Sequence, residues 1–520
     1  MTKCYRICGA YLFRLSRKHS TVLLIALFIL SITVILHLFV YKKHNGHPSA
    51  LRIGDFDYRP ASFLKNKQPN DNQSYCHFNY GLPNTLKWNE VKIFTPPETG
   101  KNSSYRVIYN AIQATDYENK SSYEAVTYAT QATPEFIYHI VEIARYWEGP
   151  ISLAVFVPNY DLDVTMQIMN QLCRCYAGMS KISLHLFYPK KYPPRIRHPR
   201  KIATTEIPNS STTQNIDDIL RVKRERYRRF NDMQSRSEYI QWVRRKRIHM
   251  MMARTLKKYP ETTVSFVDCS GPENFDVPTF RRENNMKYPI NVGRNVARVA
   301  SRTNYFVVSD IELVPSDGLA TKFLTMVRKL MGDKKRDGGR IFVKTVFVVP
   351  LFEVERGEAI PRDKDTLVRM VSENRAKYFH QKLCSHCQRF PGLQSWLSRP
   401  APAVAEPMLI ARREYPYHRW EPIYFGTQNE PWYSEALTWE GRQDKMTQML
   451  EMCLQQYHMV VLDGGFLCHA ATTRLNATHN RQEESNNHRK YLKIIAAFKH
   501  KYKDRPKYSK YLCIPSYLLS

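Results

Sequence analysis

Apolar positions along the chain alternate between two spacings. "AVTYAT" (Ala125–Thr130) is strand-like. "PEFIYHIVEIARYW" (Pro134–Trp147) spaces its apolar residues as a helix does, behind an initial proline, and "ISLAVFVP" (Ile151–Pro158) is a near-continuous apolar strand. The rhythm repeats: "DVTMQIMNQLCRCYAG" (Asp163–Gly178) is helical, "KISLHLFYP" (Lys181–Pro189) a strand, "NVGRNVARVASR" (Asn291–Arg302) helical and "NYFVVSD" (Asn304–Asp310) a buried strand. Continuous apolar strands separated by helices predict an α/β fold, a parallel sheet with helices on both faces that takes ligands at the carboxyl ends of its strands. In "NYFVVSDIELVPSDGLA" the apolar run breaks at such an end, into Asp310 and Glu312. Two carboxylates one residue apart can supply oxygen ligands to a divalent cation, which can in turn neutralise a diphosphate.

A different pattern occupies the N-terminus. Thr21–Tyr41, "TVLLIALFILSITVILHLFVY", is an almost uncharged run of about twenty residues, the length a helix needs to cross hydrocarbon. Lys3, Arg6, Arg14, Arg17 and Lys18 precede it and Lys42 and Lys43 follow, which favours a cytoplasmic N-terminus. The run is longer than a signal-peptide core and lacks a small-x-small cleavage site, so it reads as an anchor. The expected layout is a cytoplasmic tail over 1–20, an anchor over 21–41, a polar, proline-containing stem over 42–100 and a lumenal domain over 101–520.

The formal charge of +31 raises nucleic acid as a partner, but the lumenal topology argues against it. Much of the charge sits in a basic insertion around 199–258, where Arg221–Lys258 holds fourteen basic and three acidic residues. With Tyr227, Phe230, Tyr239 and Trp242 interspersed, it reads either as a solvated helix packed by its aromatic edge or as a docking surface for a polyanion. Of eleven cysteines, nine follow the anchor, an odd number that leaves one over if the rest pair. Cys384 and Cys387 have C-x-x-C spacing, but no second ligand pair stands at zinc-finger spacing, so disulfide cysteines are the reading.

Three segments after the anchor and stem carry a family resemblance: "YPINVGRNVAR" (Tyr288–Arg298), "NYFVVSDIELVPSDGL" and "GGFLCHA" (Gly464–Ala470). Their conjunction resembles glycosyltransferase family 49, over roughly Tyr123 to His469. The resemblance implies a GT-A type nucleotide-sugar-binding fold, residence in the Golgi membrane, a UDP-sugar donor with Mn2+, and inverting transfer to a glycan or glycoprotein acceptor. Glucuronic acid is the expected sugar. A β-1,3-N-acetylglucosaminyltransferase or a non-catalytic glycan-binding pseudoenzyme is the alternative, with another glycosyltransferase or a second copy as possible partner.

Carried over by residue, the family's Asp-x-Asp falls on Asp310 and Glu312 and its late metal-binding histidine on His469. Glu312 is one methylene longer than the usual aspartate, and Ala470 and Ala471 stand where the family has lysine and glycine. Arg294 and Arg298, at i and i+4 with Asn295 between them, can aim guanidinium groups at a diphosphate or a sugar carboxylate. Thr130 and Gln131 are expected at the uridine. The base that takes the acceptor's proton is expected in "NEPWYSEALTWEGRQDKM": Asp444, which matches the family's acidic-then-basic ending, or Glu440 or Glu435. Trp432, Tyr433 and Trp439 are candidates for stacking on sugar faces.

Overall fold

Each strand predicted between Ala125 and Asp310 forms; of the helices predicted there outside the basic insertion, the one over Pro134–Trp147 forms in two pieces, a 3-10 turn at Pro134–His139 and a short α-helix after it. In this computed structural model the described residues are 74–81, 90–117, 124–195, 278–332, 343–470, 481–504 and 512–514. The Thr21–Tyr41 run, most of the stem and the basic insertion lie outside them. Among the described residues no helix is long and apolar enough to cross a membrane.

After a short β1 (His77–Phe78) and β2 (Tyr105–Gln113) come β3 (Val126–Ala132), α1 (Ile140–Tyr146), β4 (Ile151–Phe156), α2 (Asp161–Cys175) and β5 (Ile182–Pro189). A short α3 (Phe280–Glu283), α4 (Ile290–Val299) and β6 (Tyr305–Asp310) follow. β5, β4, β3 and β6 lie side by side in that order and run parallel. Every residue of β3 and β4 is buried, so both faces of the sheet are covered there.

The second half follows as β7 (Leu313–Pro315), α5 (Leu319–Met331), β8 (Thr345–Val349), β9 (Leu351–Val354), α6 (Lys364–Ser372), β10 (Ala376–Tyr378) and α7 (Leu393–Ser398). Last come β11 (Glu406–Ala411), β12 (Ile423–Gly426), α8 (Met446–Leu454), β13 (His458–Asp463), β14 (Leu467–Ala470) and α9 (Arg481–Lys501). The large sheet has ten strands in the order β1-β2-β5-β4-β3-β6-β12-β8-β13-β11, and a small sheet has the order β10-β9-β14-β7. The sheet is therefore mixed where the apolar pattern predicted a parallel one. β12 is antiparallel to both β6 and β8, and β2 and β11 are antiparallel to their neighbours. Strand direction follows from the connections, which a short apolar run such as "IYFG" does not encode.

Two glycines and a buried ion pair set the start of β14. Gly464 has φ +85, and a Cβ on it would stand 2.7 Å from the Val404 carbonyl oxygen. A Cβ on Gly465 would meet Leu319 Cδ1 at 2.4 Å. Just before them, Asp463 Oδ1 accepts from Lys364 Nζ at 2.7 Å and from the Gly464 amide at 2.7 Å. Only glycine fits that tight reversal, which delivers "FLCHA" into the small sheet with His469 opposite Leu313 of β7.

Three disulfides lie among the described residues, Cys76–Cys173, Cys384–Cys387 and Cys453–Cys513. Cys468 is free and buried, which pushes its thiol up to about 12.

Candidate active site

Chain order reverses between β3 and β6: β4 and β5 lie on the far side of β3, while the chain returns on the other side as β6. The carboxyl ends of these two strands form the crevice where an open α/β sheet takes its ligand. Gln131 and Asp310 face each other there in register, and Gln131 Nε2 donates to Asp310 Oδ1 at 2.9 Å. Thr130 Oγ1 and Gln131 Oε1 are buried without a hydrogen-bond partner, an arrangement that calls for an occupant.

Helix α4 brings a cation to the same carboxylate. Arg294 is 2% exposed. Its Nη2 donates to Asp310 Oδ1 at 3.0 Å, and its Nη1 donates to Asn291 Oδ1 at 2.9 Å and to Asp444 Oδ2. One guanidinium thus ties the tip of β6 to the segment that enters α8. Lys445 adds a second cation, its Nζ 3.6 Å from Asp310 Oδ2. Burial alone would raise the Asp310 carboxyl, but Lys445 and Arg294 hold it well below the usual carboxylate range. Burial likewise opposes the charge on Arg294, and Asp444 and Asp310 more than offset it.

The close approach of α4 to the sheet depends on Gly293. A Cβ there would lie 2.9 Å from Gln131 Cβ and 3.0 Å from Phe187 Cζ. Gly293→Ala is expected to lower stability by about 1–3 kcal/mol through overpacking and to lift Arg294 away from Asp310. Thermal unfolding of the variant checks this, a melting temperature equal to the parent's meaning that α4 accepts the extra methyl where it lies.

The other predicted residues divide. Asn295 clamps the Asn429–Met446 segment by its backbone, donating to the Tyr433 carbonyl at 2.8 Å and accepting from the Tyr433 amide at 3.1 Å. Arg298 turns away from Asp310. Its terminal nitrogens donate to the carbonyls of Pro431, Gln428 and Glu430 at 2.8, 3.0 and 2.5 Å, and the Trp432 ring lies 4.5 Å from its guanidinium carbon. Glu440 accepts from the Tyr288 amide through both oxygens, at 2.9 and 3.0 Å, and from Arg281 Nη2 at 3.3 Å. Glu435 accepts from the amides of Glu98 and Thr99 at 3.2 and 3.0 Å. Of the three carboxylates considered as base, Asp444 is the one joined to the Asp310 network. Tyr433 is buried beneath Arg294, whereas Trp439 is 41% exposed.

Glu312 and His469 meet where β7 and β14 pair, with His469 Nε2 3.5 Å from Glu312 Oε2. His469 Nδ1 is buried and without a hydrogen-bond partner. One imidazole and two carboxylates form a nitrogen and oxygen donor set that suits Mn2+, and the orphaned ring nitrogen fits that use. The three do not yet converge: among the described residues, the sole trio of potential ligands within 4.8 Å of one another is Cys384, His386 and Cys387. Asp310 instead faces its cations.

Two residues of this region carried little signal in the sequence. Lys445 is marked only as the basic residue after Asp444. His380 sits in a polar stretch, yet its ring stacks on Phe379 at 3.8 Å, and the Phe379 ring lies 5.4 Å from that of His469. Burial, and then Lys445, lower the His380 imidazole to about 4.

A mixed α/β sheet with a carboxylate network at its reversal point and a His–Glu pair beside it is compatible with the class to which sequence comparison points, the glycosyltransferases. The family model described as "Glycosyl-transferase for dystroglycan" matches residues 125–503, and the chain belongs to that family, glycosyltransferase family 49. The chain is 23% identical to beta-1,4-glucuronyltransferase 1 of Bos taurus over 408 residues, 78% of this chain and 81% of the relative. It is 29% identical to beta-1,4-glucuronyltransferase 1 of Danio rerio over 215 residues, 41% of this chain and 47% of the relative. With xylosyl- and glucuronyltransferase LARGE1 of Danio rerio it shares 26% over 190 residues, 35% of this chain and 22% of the relative.

Proposed function

We propose that this glycosyltransferase moves glucuronic acid from UDP-glucuronic acid to a glycan on a glycoprotein, with Mn2+ and with inversion at the anomeric carbon. The observation that carries the reading is the network at the reversal point, in which Asp310 is held by Gln131, Arg294 and Lys445 while Arg294 also grips Asp444. The donor sugar is carried over from the names of the relatives.

Glu312 and His469 would hold the metal, with Asp310 as the other carboxylate. A bound Mn2+ supplies charge neutralisation at the departing UDP. The chain's own residues do the rest. Thr130 and Gln131 present buried polar atoms to the uridine. Lys445, held at the crevice by Asp310, provides the cation that Ala470 and Ala471 do not. Asp444 accepts the proton of the attacking hydroxyl, oriented by Arg294. Glu440 holds the Tyr288 amide just ahead of α4, so its part is to fix the helix that carries Arg294. The Thr21–Tyr41 run and its flanking cations support a single-pass type II membrane protein with this domain in the lumen, and the family resemblance supports the Golgi as its compartment.

The test is a donor screen: purified protein, Mn2+, a panel of UDP-sugars, and acceptor glycans ending in xylose or galactose, read as free UDP. Acceptor-dependent UDP release from UDP-glucuronic acid above all other donors is expected. Release from UDP-N-acetylglucosamine alone would replace the donor assignment, and none from any donor would favour a glycan-binding role.

A further inference from the structure

The Cys384–Cys387 bridge is poorly explained as a stabilising link. In the chain-entropy account a disulfide's contribution grows with the logarithm of the loop it closes. Cys76–Cys173 and Cys453–Cys513 close separations of 97 and 60 residues, whereas Cys384–Cys387 closes three. The long-range bridges also reach into the core, with Cys173, Cys453 and Cys513 at most 5% exposed. The short one lies in a surface turn between exposed Leu383 and exposed Ser385 and His386.

Its surroundings are those of a reactive pair. His386 Nε2 lies 3.5 Å from Cys384 Sγ, and Arg419 Nη1 lies 3.4 Å from that ring nitrogen. Lys382 and Arg389 flank the pair in sequence. An imidazole beside one sulfur and cations around it favour the thiolate over the thiol. The backbone of the turn is secured without the S–S bond. The Cys384 amide donates to the His380 carbonyl at 2.8 Å, the Cys387 amide to the Cys384 carbonyl at 3.1 Å, and the Glu421 amide to the Cys387 carbonyl at 2.9 Å. Opening the bridge therefore does not unlatch the turn. The three side chains bring two sulfurs and a ring nitrogen within 4.8 Å, but with the sulfurs bonded to each other the pair is an electron acceptor rather than a cage for a cation.

We propose that Cys384–Cys387 is a thiol–disulfide exchange site that accepts two electrons from a small anionic thiol such as glutathione. A glutathione thiolate attacks Cys387 Sγ; the Cys384–Cys387 bond breaks, a mixed disulfide forms on Cys387, and Cys384 leaves as a thiolate beside His386. A second glutathione thiolate attacks the glutathione sulfur of the mixed disulfide. Oxidised glutathione departs and Cys387 is released as a thiolate, so two glutathiones are oxidised and the pair is reduced.

The experiment equilibrates the full chain in buffers of graded reduced-to-oxidised glutathione ratio, quenches with an alkylating reagent and maps the modified cysteines by mass spectrometry. Cys384 and Cys387 should become alkylated at ratios that leave Cys76–Cys173 and Cys453–Cys513 closed, and His386→Ala should slow the exchange near neutral pH by about fivefold or more. A pair that opens only together with the two long-range bridges would overturn the proposal. An exchange rate unchanged in His386→Ala would remove the imidazole from it.

Discussion

Replacing Arg294 with alanine is expected to cost about 3–5 kcal/mol of folding stability and to abolish sugar transfer. The residue is buried, and its guanidinium is shared between Asp310 and Asp444, so its removal leaves two partly buried carboxylates facing each other without that bridge. Lys445 stands 3.6 Å from Asp310 Oδ2, a looser contact than the one Arg294 makes to Asp310 at 3.0 Å. Arg294→Lys keeps the charge but not the planar fork, so it should recover part of the stability and little of the activity. Denaturant midpoints and UDP release on the three proteins decide it. An alanine variant within about 0.5 kcal/mol of the parent would mean that the bridge is a surface-like pair of little weight. Asp310→Ala is a less clean probe than Asp310→Asn for the same reason, because alanine also leaves the hydrogen bonds from Gln131 and Arg294 unmet.

His469→Ala should lower Mn2+-dependent turnover by at least 10–100-fold, the usual loss when a metal ligand or its support is removed. Its effect on the melting temperature should be smaller than that of Arg294→Ala, since the ring, on the inner strand β14, approaches Glu312 only at 3.5 Å whereas Arg294 joins two carboxylates. Glu312→Asp is the companion variant. Shortening the side chain draws the carboxylate back from His469, so an enzyme built around glutamate loses turnover. A gain would show that the glutamate had disabled a site built for aspartate.

The sequence announces those parts of the site that lie on strands and their ends. Asp310 is visible because an apolar run stops at it, and the parallel β3–β6 core because its strands are largely apolar and separated by helical spacing. The glycines of "GGFLCHA" mark a backbone reversal that the structure contains, with His469 five residues beyond Gly464. Contacts between distant segments are a different matter. Arg294 reaches Asp444 across 150 residues and Gln131 reaches Asp310 across 179, and no local pattern encodes either pairing. Helical spacing places Arg294 and Arg298 on one side of α4. It does not show that the backbone carbonyls of Gln428, Glu430 and Pro431 lie over the later turn and capture Arg298. Glu440 and Asp444 look equivalent as loop carboxylates, and only the fold separates a clamp on the Tyr288 amide from a partner of Arg294.

The most direct measurement is calorimetric titration of UDP into the protein with and without Mn2+, repeated on Asp310→Asn and His469→Ala. The account predicts binding that needs Mn2+ in the parent and is lost in both variants while each keeps a cooperative unfolding transition. Equal UDP affinity with and without the metal, or parent-like Mn2+-dependent binding in both variants, would contradict it.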